Sequence, residues 1–274
     1  MADSSFTGPT QATVGQYLGD VRLTYNAPDP SLNLYDMERI ELLEGPQGPL
    51  YGTGALGGIL RIVPNPVDLG RFAGSIAGGG TATRHGADGG DLAAMANLPL
   101  APGLLGLRLV AYGALDPGYI DDIGRGAKNV NRAVKYGGRA TLRLAPGDGW
   151  TIDMGGVIQN IDIRDGQYAE RGLPPLTHSS QLAQPFDNDY ALGHIVVHKQ
   201  WASGLDLLSA SAVVRHDVET RFDATGAPDT SGLTLFLQHD AITLLSHETR
   251  LTGRIGERGT WIGGVSILHD IQRL

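Results

Sequence analysis

The chain has 274 residues, 41% of them hydrophobic, with no cysteine, charged residues at only 18% and a formal net charge of -8. An acidic chain without a Lys/Arg cluster excludes a nucleic-acid surface, which needs a basic stripe, and the missing cysteines exclude a disulfide framework. No window approaches the ~18 consecutive apolar residues of a membrane-spanning helix, so a place in a bilayer would require a barrel of strands, which the 40 glycines suit.

The first ten residues have neither a basic start nor an apolar core, so they are not a secretion signal. Val14 to Thr24 alternate loosely as a strand and its turn, Asn26 to Pro30 read as a loop, and Leu32 to Asp36 predict one helical turn. From Asp36 to Pro64 the reading is strand, glycine-dense loop, strand: Arg39-Ile40-Glu41-Leu42-Leu43, then Gly45 to Gly58, then Ile59 to Val63 closed by Pro64. Within the loop, Gly52 to Gly57 fits G-x-G-x-x-G, a dinucleotide-binding pattern that requires a helix to begin there. Only Ile59 to Val63 separate the glycines from Pro64, and Pro66 repeats the stop, which leaves room for a strand alone.

From Arg71 onward, period-two segments of about ten residues alternate with turn residues, the pattern of an antiparallel transmembrane barrel. Strands are predicted near 71–84, 89–100, 103–115, 133–145, 150–163, 187–202, 205–222, 235–254 and 260–272. Short joins (98–103, 145–149, 202–204) alternate with long ones (116–132, 164–186, 223–233), as periplasmic turns alternate with extracellular loops. An Arg on the lipid side at mid-membrane costs ~2–4 kcal/mol, so each Arg is expected on the lumen side. In 205–222 this places Ser209, Ser211, Arg215 and Asp217 inward and Leu208, Ala210, Ala212 and Val214 outward, with His216 an exception near a headgroup layer. Arg139 and Arg143 oppose Ala140, Leu142 and Leu144, and Arg108 opposes Leu107 and Leu109. A soluble antiparallel sheet would alternate in the same way, and a soluble or surface β-rich binding protein is the alternative reading.

His194 and His198 have the spacing of a helical metal site, but on a strand they lie ~13 Å apart, too far for one ion, so no metal is assigned. His178, His239 and the pair Asp121-Asp122 fall in or near long loops, where polarity alone predicts them. Tyr112, Tyr119, Tyr136, Trp150, Tyr168, Tyr190, Trp201 and Trp261 sit where an interfacial girdle would, with Trp150 and Trp201 flanking short joins. No serine lies in a G-x-S-x-G elbow, and neither a catalytic residue nor a cofactor is assigned.

The run Glu38-Arg39-Ile40-Glu41, Gly45-Pro46-Gln47-Gly48, Leu50-Tyr51-Gly52, Gly57-Gly58 resembles the segment ending the plug domain of TonB-dependent outer-membrane receptors. It departs at Glu44, where that family usually has Arg. Val14 to Val21 resembles the middle of such a plug, and the family's short helix before the Glu-Arg-Ile strand falls on Leu32 to Asp36. Ser246 to Thr252 and Trp261 to Val265 resemble paired barrel strands of the same family. The resemblance implies the C-terminal part of a small α/β plug over 1–66 and about nine strands of an incomplete β-barrel over 67–274. It further implies a piece of a larger receptor, whose signal and energy-coupling box lie upstream of Met1 and whose remaining barrel, of about 22 strands in all, lies downstream of Leu274. The implied function is import of a scarce ligand such as a ferric siderophore across the outer membrane of a Gram-negative bacterium. Its implied partners are a TonB-type energy-coupling complex and outer-membrane lipid; the ligand stays open, because siderophore, cobalamin, sugar and nickel receptors share the motif.

Overall fold

The computed structural model describes residues 14–25, 27–45, 57–227, 231–256 and 259–274. They form a small mixed sheet lying against one face of a nine-stranded antiparallel sheet, with no helix among the described residues.

The small sheet contains β1 (Val14–Leu18), β2 (Val21–Arg22), β3 (Met37–Glu44) and β4 (Gly58–Pro64) in the order β2-β1-β4-β3. β1 runs parallel to β4, and β3 pairs with β4 antiparallel. Residues 46–56, with most of the glycine-dense loop and of the G-x-G-x-x-G run, lie outside the described residues. A strand begins at Gly58, so among the described residues no helix N-terminus follows the glycines to receive a phosphate. Gly58 opens that strand at φ 137°, and a Cβ on it would lie 2.4 Å from the Leu43 carbonyl oxygen, so only glycine fits.

Leu32 to Asp36 form no helical turn, contrary to the expectation from sequence; residues 27–36 are an extended strap ending in a turn. The reason is competition for the backbone. Strap carbonyls at Asp29, Pro30, Ser31, Tyr35 and Asp36 accept hydrogen bonds from side chains of the large sheet, and Asp36 takes φ 62°. Groups committed to partners far along the chain are not available to a helix.

The large sheet, here the wall, comprises β5 (Ala73–Ala82), β6 (Asp88–Ala101), β7 (Leu105–Asp116), β9 (Ala133–Gly147), β10 (Trp150–Ile163), β12 (Phe186–Gln200), β13 (Asp206–Asp223), β14 (Leu235–Ile255) and β15 (Gly259–Arg273). Each pairs with its sequence neighbour, and each falls where the alternation predicts a strand. Two-residue strands in the long joins, β8 (Asp121–Asp122) and β11 (Thr177–His178), pair with each other in parallel. The short joins after β6, β9 and β12 lie at one end of the wall, and the long ones lie at the other together with the join 83–87. Between β9 and β10 the two-residue turn Asp148-Gly149 has φ 49° and 75°, the left-handed pair that matches strand twist in a hairpin. The sheet is open, an incomplete barrel wall with β5 and β15 at its edges.

The inner face of the wall meets the small sheet. Leu18, Val21, Leu23, Leu32 and Ile62 form one apolar core with Val157, Tyr190, Leu192, Val196, Leu208, Ala210, Ala212, Val214 and Leu244. This reverses the expected faces of β13: its apolar set points inward, whereas Arg215 is exposed on the outer face. A lumen filled by protein presents apolar surface that needs apolar cover, so polarity does not mark its side. His216, expected near a headgroup layer, is buried on the inner face, where its Nε2 lies 2.9 Å from Asn188 Oδ1 and its ring packs edge-on to Tyr190.

Candidate functional site

Around the apolar core, the seam between small sheet and wall is polar. Gln159 of β10 donates from Nε2 to the Pro30 carbonyl (2.7 Å), while its Oε1 accepts from the Asn33 amide (3.0 Å) and the Tyr112 hydroxyl (2.9 Å). Tyr112 reaches it by lying over Gly137, where a Cβ would come within 2.7 Å of the hydroxyl oxygen. Tyr190 donates to the Leu23 carbonyl (3.0 Å) and Lys135 to the Ser31 carbonyl (3.0 Å). Tyr112 and Tyr190 are thus seam residues, not members of a girdle.

Two ion clusters cross the seam. In the first, the Asp36 carboxylate takes both arms of Arg108 (2.8 and 2.5 Å), and Arg139 reaches it at 3.4 Å while donating to the Asp36 carbonyl at 3.0 Å. These side chains are 6%, 12% and 6% exposed, so a bidentate pair is shielded from water. In the second, Asp20 meets Arg61 at 2.9 Å, Arg250 at 3.5 Å and His198 at 3.7 Å, with exposures of 20–39%. Burial works against the Asp20 charge, yet His198, Arg61 and Arg250 together hold its carboxyl below the usual range. His194 also points inward, beside Gly155. Among the described residues, no group of three His, Asp or Glu side chains could hold a metal ion.

At the long-join end, loops 117–132 and 164–185 are braced together. Asp122 is fully buried and accepts from Arg125 Nε (2.6 Å), Ser180 Oγ (2.5 Å) and the Ser180 amide (3.2 Å); Arg125 also pairs with Asp165. His178 stacks on Tyr168 (4.9 Å between centroids), and its Nε2 lies 3.4 Å from Asp122 Oδ2 without an aligned hydrogen bond. Burial alone would raise the Asp122 carboxyl, but the bonds from Ser180 and Arg125 outweigh it and hold it well below the usual carboxylate range. Asp122 and His178 are therefore brought together as internal struts, while His239 is exposed near the start of β14.

The outer face of β7 to β12 is apolar in register: Leu107, Leu142, Met154 and Ile195 in one row, Leu109, Ala140, Gly156 and Gly193 in the next, and Ala111, Gly138, Ile158 and Ala191 above them. Below the band, the Lys199 ammonium lies 5.1 Å from the Trp150 ring centre and 5.5 Å from that of Trp201. Above it come Tyr136, Asn160, Asp189 and Asp217. Trp150 to Asn160 spans ~33 Å of strand, or ~25 Å along a barrel axis at ~40° tilt.

The seam residues Asp36, Gln159 and Tyr112 escape sequence reasoning. The one available signal is a lone amide on an apolar face: Gln159 between Val157 and Ile161, which are both buried beside it.

Fold and seam together define a class: an incomplete β-barrel wall whose lumen side holds a small sheet. No protein-family model matches the sequence, but solved structures do. The ferric yersiniabactin uptake receptor of Yersinia pestis aligns over 94% of this chain and 48% of its own, at 20% identity and a TM-score of 0.58. The ferric-catecholate import receptor of E. coli aligns over 96% and 43%, at 14% identity and TM-score 0.73. The ferripyoverdine receptor of the outer membrane of Pseudomonas aeruginosa aligns over 93% and 36%, at 16% identity and TM-score 0.71. The chain thus has the fold of TonB-dependent outer-membrane receptors and spans less than half the length of these three.

Proposed function

We propose that the chain is part of an outer-membrane receptor of a Gram-negative bacterium that imports a scarce ligand, a ferric siderophore first among candidates, with energy from a TonB-type complex. Residues 1–66 are then the C-terminal part of the plug and residues 67–274 the first nine strands of the barrel. The observation that carries this reading is the pairing of two faces on one sheet: an outer apolar band ~25 Å tall with a Trp-Lys-Trp group at its lower rim, and an inner face committed to a seated small sheet. The braced loops at the opposite end are where an incoming ligand would meet the protein. The ligand class follows the solved structures, whose names specify ferric yersiniabactin, ferric catecholates and ferripyoverdine.

Uptake of radio-iron from a panel of ferric siderophores, by cells whose own receptors are deleted and which express the whole receptor containing this chain, tests this. Accumulation abolished by a protonophore is the expected result. Recovery of the protein in the soluble fraction, or no iron accumulation with any member of the panel, would overturn it.

A further inference from the structure

The two ion clusters differ in burial and in what they hold. The buried cluster gathers three parts of the chain at one point: the end of the strap at Asp36, the exit of β4 at Asn65, and the wall. Asn65 donates from Nδ2 to Asp36 Oδ1 (3.0 Å), and Arg108 is 3.4 Å from Asn97 Oδ1. Asn97, fully buried on β6, in turn holds the connector to β5: its Oδ1 accepts from the Asp68 amide (3.0 Å), and its Nδ2 donates to the carbonyls of Asp68 and Arg71 (2.8 Å each). The other cluster, around Asp20, joins the turn between β1 and β2 to Arg250 and His198 through longer, more exposed contacts.

We propose that Asp36 is a positioning residue whose clasp with Arg108, Arg139, Asn65 and Asn97 tethers the small sheet to β6, β7 and β9. The seam opens first at the Asp20 end, with the clasp as its pivot. Salt screens exposed charges and barely reaches buried ones, so the two ends respond differently. Removing one member of a buried pair also leaves its partners uncompensated. Here two arginines would face each other without the carboxylate.

Hydrogen exchange of the full chain in detergent micelles tests the tether. Raising salt from ~0.01 to ~1 M, which shortens the screening length from ~30 to ~3 Å, should speed exchange across 14–22 several-fold and leave the Asn65 and Asp68 amides unchanged. Asp36→Asn should speed Asn65 and Asp68 at least tenfold, with exchange in β12 and β13 unmoved and partial recovery in Asp36→Glu. Equal salt response at both ends, or unchanged Asn65 and Asp68 exchange in Asp36→Asn, would sink the proposal; because the salt comparison uses the unmodified chain, a misfolded variant does not leave it untested. The inference rests on the small sheet being a seated plug, but its readout is internal to the chain, so failed iron uptake and a failed tether are separate results.

Discussion

Two faces of the same strands behave as two different environments. On β13, Val214 is 2% exposed, packed in the core shared with the small sheet, whereas Val213 one position earlier is 48% exposed on the outer face. The inner face is a protein core with a polar seam around it; the outer face from β7 to β12 is an apolar band that nothing among the described residues covers. Apolar character therefore fails to distinguish a face that meets lipid from a face that meets protein. Arg215 shows why the outer face can still carry a charge: nine residues from the start of β13 it stands ~30 Å along the strand, near the upper rim, where an exposed Arg costs only ~0–1 kcal/mol.

The contrast can be broken most sharply at that Val pair. Val214→Asp buries an unpaired carboxylate and should destabilise the chain by about 3–5 kcal/mol, with Val213→Asp costing less than half as much. Urea unfolding in lipid vesicles compares them, and equal losses would abolish the inner and outer assignment. Next in size, Gln159→Leu orphans the Pro30 carbonyl and the Asn33 amide together and should cost about 2–3 kcal/mol in the same assay. Isosteric Gln159→Glu keeps the acceptor while losing the donor to Pro30, which sharpens the attribution.

The loop brace makes a pH prediction. Because the Asp122 carboxyl is held below its unfolded value of ~3.9, its contribution is fully present above about pH 5 and is lost as pH falls toward its folded value. Exchange protection at the Asp121 and Ile123 amides, which donate across to Leu176 and His178, should decline in acid ahead of protection in β9 and β10. Simultaneous loss would mean that the brace is not a separate unit. The smallest effect is expected at the lower rim: Lys199→Ala removes cation–π contacts worth about 0.5–2 kcal/mol. It should also change the emission of Trp150 and Trp201, which interfacially placed brominated lipids should quench.

Strand existence was legible because period two is a property of the local chain. Arg139-Ala140-Thr141-Leu142-Arg143-Leu144 alternates whatever it packs against, and the Asp148-Gly149 turn declares its hairpin by residue type. The ordered matches at Glu38 to Gly58 pointed to the fold that the solved receptor structures share. The seam was not legible, since Gln159 joins the strap at Pro30, Ser31 and Asn33 across some 128 positions of sequence, and no local pattern records such a partner. The helical turn at Leu32 to Asp36 failed for the same reason: its backbone groups are taken by Gln159, Lys135 and Arg139.

By itself, then, the sequence determined the nine strands of the wall, their turns and the sorting of short and long joins, all products of local sterics and alternation. Only the tertiary structure decided which face of each strand turns inward. A strand whose two faces are both partly apolar offers two packings, and the small sheet settles the choice by covering one of them.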